Sequence, residues 1–156
     1  MIRIDIPGRG LATIQHLVLD VNGTIACDGA LLEGVAERLE RLRELVTVTA
    51  ITADTHGTAA ALRDRTGIEI HVIERGNEAR QKLEVVRALG ADAVVAVGNG
   101  ANDDEMLDAA VVGICVIGRE GAAVAALRSA DVAVTDVRDA LDLVLDPRRL
   151  VATLRR

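Results

Sequence analysis

Residues 17–29 read Leu-Val-Leu-Asp-Val-Asn-Gly-Thr-Ile-Ala-Cys-Asp-Gly, and the fold turns on the first four of them. Leu17-Val18-Leu19 is an unbroken apolar run, the mark of a strand covered on both faces rather than half-exposed to water. It stops at Asp20, and Gly23-Thr24 then allows a sharp turn whose amide groups would face an anion. Asp20 is therefore either a carboxylate carried to the tip of a buried strand, where it can attack phosphorus, or an ordinary turn-capping residue. The rest of the chain has to decide between them.

Outward from this stretch, strand-like runs recur at 46–52, 68–73, 93–98, 113–118 and 131–136. Between them 31–45, 57–66, 77–90, 102–111 and 120–130 carry helical periodicity. Alternation of this kind predicts an α/β fold: a Rossmann-like, doubly wound, mostly parallel sheet with helices on both faces. Residues 1–15 alternate around Pro7-Gly8-Arg9-Gly10, which predicts a small exposed N-terminal β-hairpin decorating an edge. Residues 136–156 predict one or two amphipathic C-terminal helices, with Pro147 placed to open the second.

Composition narrows the function classes. A chain of 156 residues, 50% of them hydrophobic, can bury one sizeable core, so 1–156 is expected to be a single domain. There is no Phe, Tyr or Trp, which leaves no stacking platform for single-stranded nucleic acid. The net charge of −6 also opposes a polyanionic partner. Cys27 and Cys115 show no metal or disulfide spacing, and no apolar run approaches a membrane span. A cytoplasmic protein without nucleic-acid or membrane partners is expected.

In such a sheet, chemistry gathers at the carboxyl ends of the strands: Asp20, Thr52 and the loop Gly98-Asn99-Gly100. Lys82 is the only lysine among 18 basic residues, and it falls on the apolar stripe of its helix with Ala79, Val86 and Leu89. An ammonium there must snorkel to solvent or reach an anionic partner. The loop at 98–100 leads into Asn102-Asp103-Asp104-Glu105, which are either helix-dipole partners and caps or oxygen ligands for Mg²⁺. Its glycines form no dinucleotide fingerprint, and the chain has no GxxxxGK[ST] loop. Thr52 can offer its hydroxyl to a phosphate oxygen, while Asp54 or Thr55 can cap the next helix.

Taken in order, Asp20-Val21-Asn22-Gly23-Thr24, Thr52, Lys82 and Gly98-Asn99-Gly100-Ala101-Asn102-Asp103 resemble the four motifs of the haloacid dehalogenase superfamily of phosphotransferases. The similarity is greatest to the phosphorylation domain of P-type ATPases, through Thr52-Ala53-Asp54 and the helix that follows Gly98. The resemblance implies that Asp20 accepts the phosphoryl group and ligates Mg²⁺, and that Thr52, Ala53 and Lys82 hold phosphoryl oxygens. Gly23, Thr24 and Asn102 would face the substrate, and Asn22, Asn99 and Asp103 would serve the metal.

Three positions depart from the pattern. Phosphatases of the superfamily usually have an acid-base Asp where this chain has Asn22, and an amide cannot do that work. Asn99 replaces a metal-binding Asp, which removes one negative charge. P-type pumps carry Lys where this chain has Val21. The intervals after Asp20 and between Thr52 and Lys82 leave no room for a cap domain, so a neighbouring subunit of a homo-oligomer, or a phosphoprotein substrate, is expected to close the site.

The leading expectation is a Mg²⁺-dependent phosphatase or phosphotransferase acting on a small phosphorylated substrate or phosphoprotein, slowed by Asn22. The alternative is a non-catalytic, regulatory relative, and a transport ATPase acting beside separate subunits is a weaker third.

Overall fold

The computed structural model describes residues 1–54 and 57–156. The chain opens with β1 (Ile2–Ile6) and β2 (Gly10–Ile14), then runs through β3 (His16–Asp20), β4 (Ala26–Cys27), β5 (Ala30–Leu31) and α1 (Val35–Arg43). Next come β6 (Thr47–Thr52), α2 (Ala59–Thr66), β7 (Glu69–Val72), α3 (Glu78–Ala88), β8 (Val94–Gly98) and α4 (Asp104–Ala109). The last elements are β9 (Val112–Val116), α5 (Val124–Ser129), β10 (Val132–Val134), α6 (Val137–Leu145) and α7 (Pro147–Leu154).

Six strands form one sheet in the order β10-β9-β8-β3-β6-β7, and every pairing in it is parallel. The apolar run at 17–19 becomes the middle of this sheet because both its faces are covered. Leu17 and Leu19 point into one core with α1, α2, α6 and α7, while Val18 points into the other with α3, α4 and α5. The chain leaves β3 towards β6 and β7, then returns to the opposite side of β3 to form β8. That reversal opens a crevice between the carboxyl ends of β3 and β8, where ligands of open α/β sheets bind.

Three expectations need correcting. The N-terminal hairpin is not an exposed decoration: it pairs only with itself, but Ile4, Ile6 and Ile14 are buried in the main core and α7 packs against β1. Its alternation supplies the apolar face that α7 covers. The helix expected at 31–45 begins only at Val35, because Leu31 pairs with Ala26 in the small hairpin β4–β5. The helix expected at 120–130 begins only at Val124, since the Ala123 amide donates to the Asn99 carbonyl (2.8 Å) rather than within a helical turn. The two C-terminal helices form as expected, with Pro147 opening α7. Thr58 stands at the N-cap of α2 without a side-chain cap bond, and Asp54, four residues earlier, accepts a hydrogen bond from the Ala59 amide (3.1 Å) that opens the helix. Thr55, its alternative, lies outside the described residues.

The sheet meets α4 with no clearance at Gly113. A Cβ there would stand 2.4 Å from the Leu107 carbonyl oxygen and 2.9 Å from its carbon, and these are backbone atoms that cannot rotate away. Gly113→Ala is therefore expected to destabilise the fold by about 1–3 kcal/mol through overpacking. Thermal unfolding followed by circular dichroism checks this; an unchanged Tm would contradict the close approach.

Candidate active site

Asp20 ends β3, and the chain beyond it winds into a closed loop. The Ala26 amide donates to the Val21 carbonyl (2.9 Å), Thr24 N–H to the same carbonyl (3.2 Å) and Gly23 N–H to the Ala26 carbonyl (2.8 Å). The amides of Gly23 and Thr24, expected to face an anion, are thus turned onto the loop's own carbonyls. Gly23 takes a φ of +84°, a region that L side chains rarely adopt. The turn brings the Thr24 hydroxyl back beneath the nucleophile position, buried, 3.1 Å from Asp20 Oδ2 and 3.2 Å from Asn99 Oδ1.

Lys82 does not snorkel. It is buried on α3, and its ammonium donates to Asp20 Oδ1 at 2.7 Å, to Asp103 Oδ1 at 2.6 Å and to Asn102 Oδ1 at 3.3 Å. A residue 62 positions along the chain is thereby joined to Asp20. Asp103 is fully buried, and its other oxygen accepts from the amides of Asn99 (2.9 Å) and Gly100 (2.8 Å). Both Asp103 oxygens are therefore engaged, one by the lysine and one by the loop.

One ammonium faces two carboxylates in this cluster, which leaves a net negative charge out of water. Burial, then the charge of Asp103, pushes the Asp20 pKa up to about 7 against the opposing pull of Lys82 and Thr24. Burial works against the Lys82 ammonium too, but the two carboxylates outweigh it and hold its pKa above the ordinary value. The lysine accordingly stays charged, and the carboxylates retain a need for further positive charge.

Thr52 ends β6 at the same carboxyl end of the sheet, buried, with its oxygen accepting from the Asp54 amide (3.0 Å). That bond occupies the oxygen and leaves the hydroxyl proton available to an incoming acceptor. Ala53 and Asn22 are half-buried, and Asn102 is exposed at the rim of the cluster. Asp20, Thr24, Lys82, Asn99, Asn102 and Asp103 are thus linked by direct hydrogen bonds, while no such bond among the described residues ties Asn22 or Ala53 to them.

The oxygen donors fit a hard divalent cation. Asp20 Oδ2 and Asn99 Oδ1 converge on one hydroxyl, and the excess negative charge lies on the same side. Among the described residues, no thiol or imidazole donor, which softer metals prefer, is hydrogen-bonded into this group. A cavity of about 410 Å³ adjoins the cluster through Gly23 and Thr24, walled by the β4–β5 hairpin, the 117–120 loop and the start of α6. Arg119, Glu120, Glu33 and Arg138 line it. The sequence singled out none of these four, and carries no local signal for them, because loops from distant parts of the chain bring them together. Cys27 also borders the cavity, and both cysteines are free thiols.

Comparison with known proteins agrees with this geometry. A family model described as haloacid dehalogenase-like hydrolase matches residues 5–110. An uncharacterized protein of Methanocaldococcus jannaschii is 44% identical over 84 residues, 51% of this chain and 90% of that protein. The ATP-binding subunit of a potassium-transporting ATPase from Xanthomonas campestris is 30% identical over 159 residues; the match takes in 97% of this chain and 21% of that subunit. Among solved structures, the 3-deoxy-D-manno-octulosonate 8-phosphate phosphatase of Moraxella catarrhalis, determined with magnesium, phosphate and its sugar, superposes with a TM-score of 0.70 at 17% identity, covering 91% of this chain and 94% of that one. No helix among the described residues is long and apolar enough to cross a membrane.

Proposed function

The chain belongs to the haloacid dehalogenase-like hydrolases, and on that premise we propose that it is a Mg²⁺-dependent phosphatase working through an aspartyl-phosphate at Asp20. The observation that carries the reading is the Lys82 ammonium held at 2.7 Å from Asp20 and 2.6 Å from Asp103. A lone carboxylate would repel a phosphate ester; a buried ammonium at hydrogen-bond distance offsets that repulsion and orients the attacking group.

In the first step an Asp20 oxygen forms a bond to phosphorus as the ester P–O bond breaks, and the departing alkoxide takes its proton from water. In the second, water attacks phosphorus and gives up a proton to solvent, which neutralises the hydroxide left by the first step, as the bond to Asp20 breaks and inorganic phosphate leaves. Lys82 and Thr52 hold the phosphoryl oxygens, and Asn102 borders them at the rim. Asp103 is a positioning residue that fixes Lys82 and the 99–100 loop together. Asp20, Asn22 and Asn99 would hold the ion, which when bound neutralises phosphoryl charge. Asn22 can orient a water but cannot exchange a proton with it.

Lacking an acid at residue 22, the enzyme favours substrates whose leaving group needs no proton. The 410 Å³ cavity, which borders the cluster at Thr24 and is lined by neither Asp20 nor Lys82, is of a size to take the part of a small phosphorylated substrate beyond its phosphoryl group. With Mg²⁺ present, hydrolysis of acetyl phosphate is expected to exceed that of an alkyl phosphate of similar size. If neither acetyl phosphate nor para-nitrophenyl phosphate is turned over, and no acid-stable phosphoryl label reaches Asp20, the proposal fails.

A companion expectation concerns Asn22→Asp. General acid-base assistance contributes about 10²–10⁴-fold, so the variant should accelerate alkyl phosphate hydrolysis by at least about tenfold and acetyl phosphate hydrolysis much less. An unchanged rate with both substrates would show that residue 22 does not occupy the acid-base position. Asn22 and Asn99 together favour a second reading, a regulatory relative that binds phosphate without chemistry. Phosphate binding by calorimetry with no turnover of either substrate would select it.

A further inference from the structure

The proposed ion position lacks the charge that a carboxylate at residue 99 would bring. A second source for that charge deepens the phosphatase reading and rests on it. The Asn99 side chain is fixed at both ends: Oδ1 accepts from the Thr24 hydroxyl (3.2 Å), and Nδ2 donates to the Gly121 carbonyl (3.3 Å). The Asn99 carbonyl also accepts from the Ala123 amide (2.8 Å), so two bonds clamp the loop after β9 onto the end of β8. Within that loop the Gly121 amide donates to the Gly118 carbonyl (2.9 Å), closing a turn with Arg119 and Glu120 at its tip.

The turn brings the Glu120 carboxylate over Gly23. A Cβ at Gly23 would meet Asn99 Nδ2 at 2.5 Å and Glu120 Oε2 at 2.7 Å, so the amide and the carboxylate share the one small space that the glycine leaves open. Among the described residues, no lysine or arginine forms an ion pair with Glu120. An unpaired negative charge therefore stands beside the residue whose own charge is missing.

We propose that Glu120 restores to the divalent-ion site the negative charge that Asn99 withholds, acting across the Asn99 amide as a positioning residue. An amide at 99 permits this arrangement in two ways. Its Nδ2 holds the loop through Gly121, which a carboxylate oxygen could not do, and its neutrality adds no further carboxylate to Asp28, whose side chain already lies within 4.8 Å of Glu120 and Cys27. The charge is displaced from residue 99 to residue 120 rather than lost.

The experiment measures Mn²⁺ binding by electron paramagnetic resonance, with Mg²⁺ calorimetry beside it, on the wild type, Glu120→Gln, Asn99→Asp and the double variant. Glu120→Gln should weaken Mn²⁺ binding by roughly tenfold without lowering Tm, since Glu120 is exposed. In the Asn99→Asp background the same change should cost less than about threefold, because the charge is then already supplied at residue 99. A Kd unchanged by Glu120→Gln overturns the proposal. So does an equal loss in both backgrounds, a fall in turnover at saturating Mg²⁺ with an unaltered Kd, or a wild type that binds no divalent ion. Because the readout is metal affinity, it separates the two readings: a shifted Kd in a protein that hydrolyses neither phosphate sinks the phosphatase reading and leaves the role of Glu120 standing.

Discussion

Asp20→Asn is expected to eliminate turnover of acetyl phosphate and to abolish phosphoryl labelling, with a loss of at least about 10³-fold in kcat. An amide nitrogen or oxygen at this position cannot form the acyl-phosphate bond, so no part of the residual rate can pass through residue 20. Stability should move the other way. Asp20 and Asp103 share one ammonium at 2.7 and 2.6 Å, and replacing one carboxylate by a neutral isostere leaves Lys82 paired with Asp103 in a cluster with no net charge. The variant is therefore expected to keep or raise its Tm while losing its activity. Rapid-quench labelling and a thermal melt on the same preparation check both halves. Activity retained within tenfold would mean that phosphoryl transfer occurs elsewhere.

Lys82→Met should do damage of a different kind. It removes the one cation that, among the described residues, is bonded to these two buried carboxylates and leaves their charges uncompensated, a change that costs about 3–5 kcal/mol when a buried pair is broken from one side. In a domain of this length that corresponds to a fall in Tm of roughly 10 °C. Protonation of Asp20 softens the loss, because without the ammonium its already raised pKa is driven further up. Activity should fall by at least about a hundredfold, since nothing then offsets the repulsion between Asp20 and a phosphate ester. Added Mg²⁺ should raise the Tm of Lys82→Met by more than that of the wild type, a positive ion partly replacing the missing one. If the variant melts within about 2 °C of the wild type, the buried trio is not the electrostatic centre of the fold.

Both expectations depend on charges that approach from separate elements, and this is also where sequence and structure divide. The order of elements was legible because burial writes itself into local pattern. Leu17-Val18-Leu19 had to be covered on two faces, and the helical stripes between the strands supplied the covers. The lone lysine on an apolar stripe was a readable anomaly for the same reason: an ammonium there demands a partner, and Asp20 was the carboxylate carried to the same end of the sheet. The N-terminal hairpin was misread where its apolar face is met by α7, an element more than 130 positions away in the chain.

The sequence by itself determined the six-stranded α/β class, the nucleophile candidate at a strand tip, its lysine and the acid-poor character of residues 22 and 99. Only the tertiary structure decided that Asp103 spends both oxygens on Lys82 and the 99–100 loop, that the Gly23 and Thr24 amides are consumed internally, and that Glu120 comes to rest beside Asn99. The physical reason is range. Periodicity and turn chemistry act over a few residues and leave a local trace, whereas a hydrogen bond such as that from Ala123 to Asn99 links loops that only the completed sheet brings together.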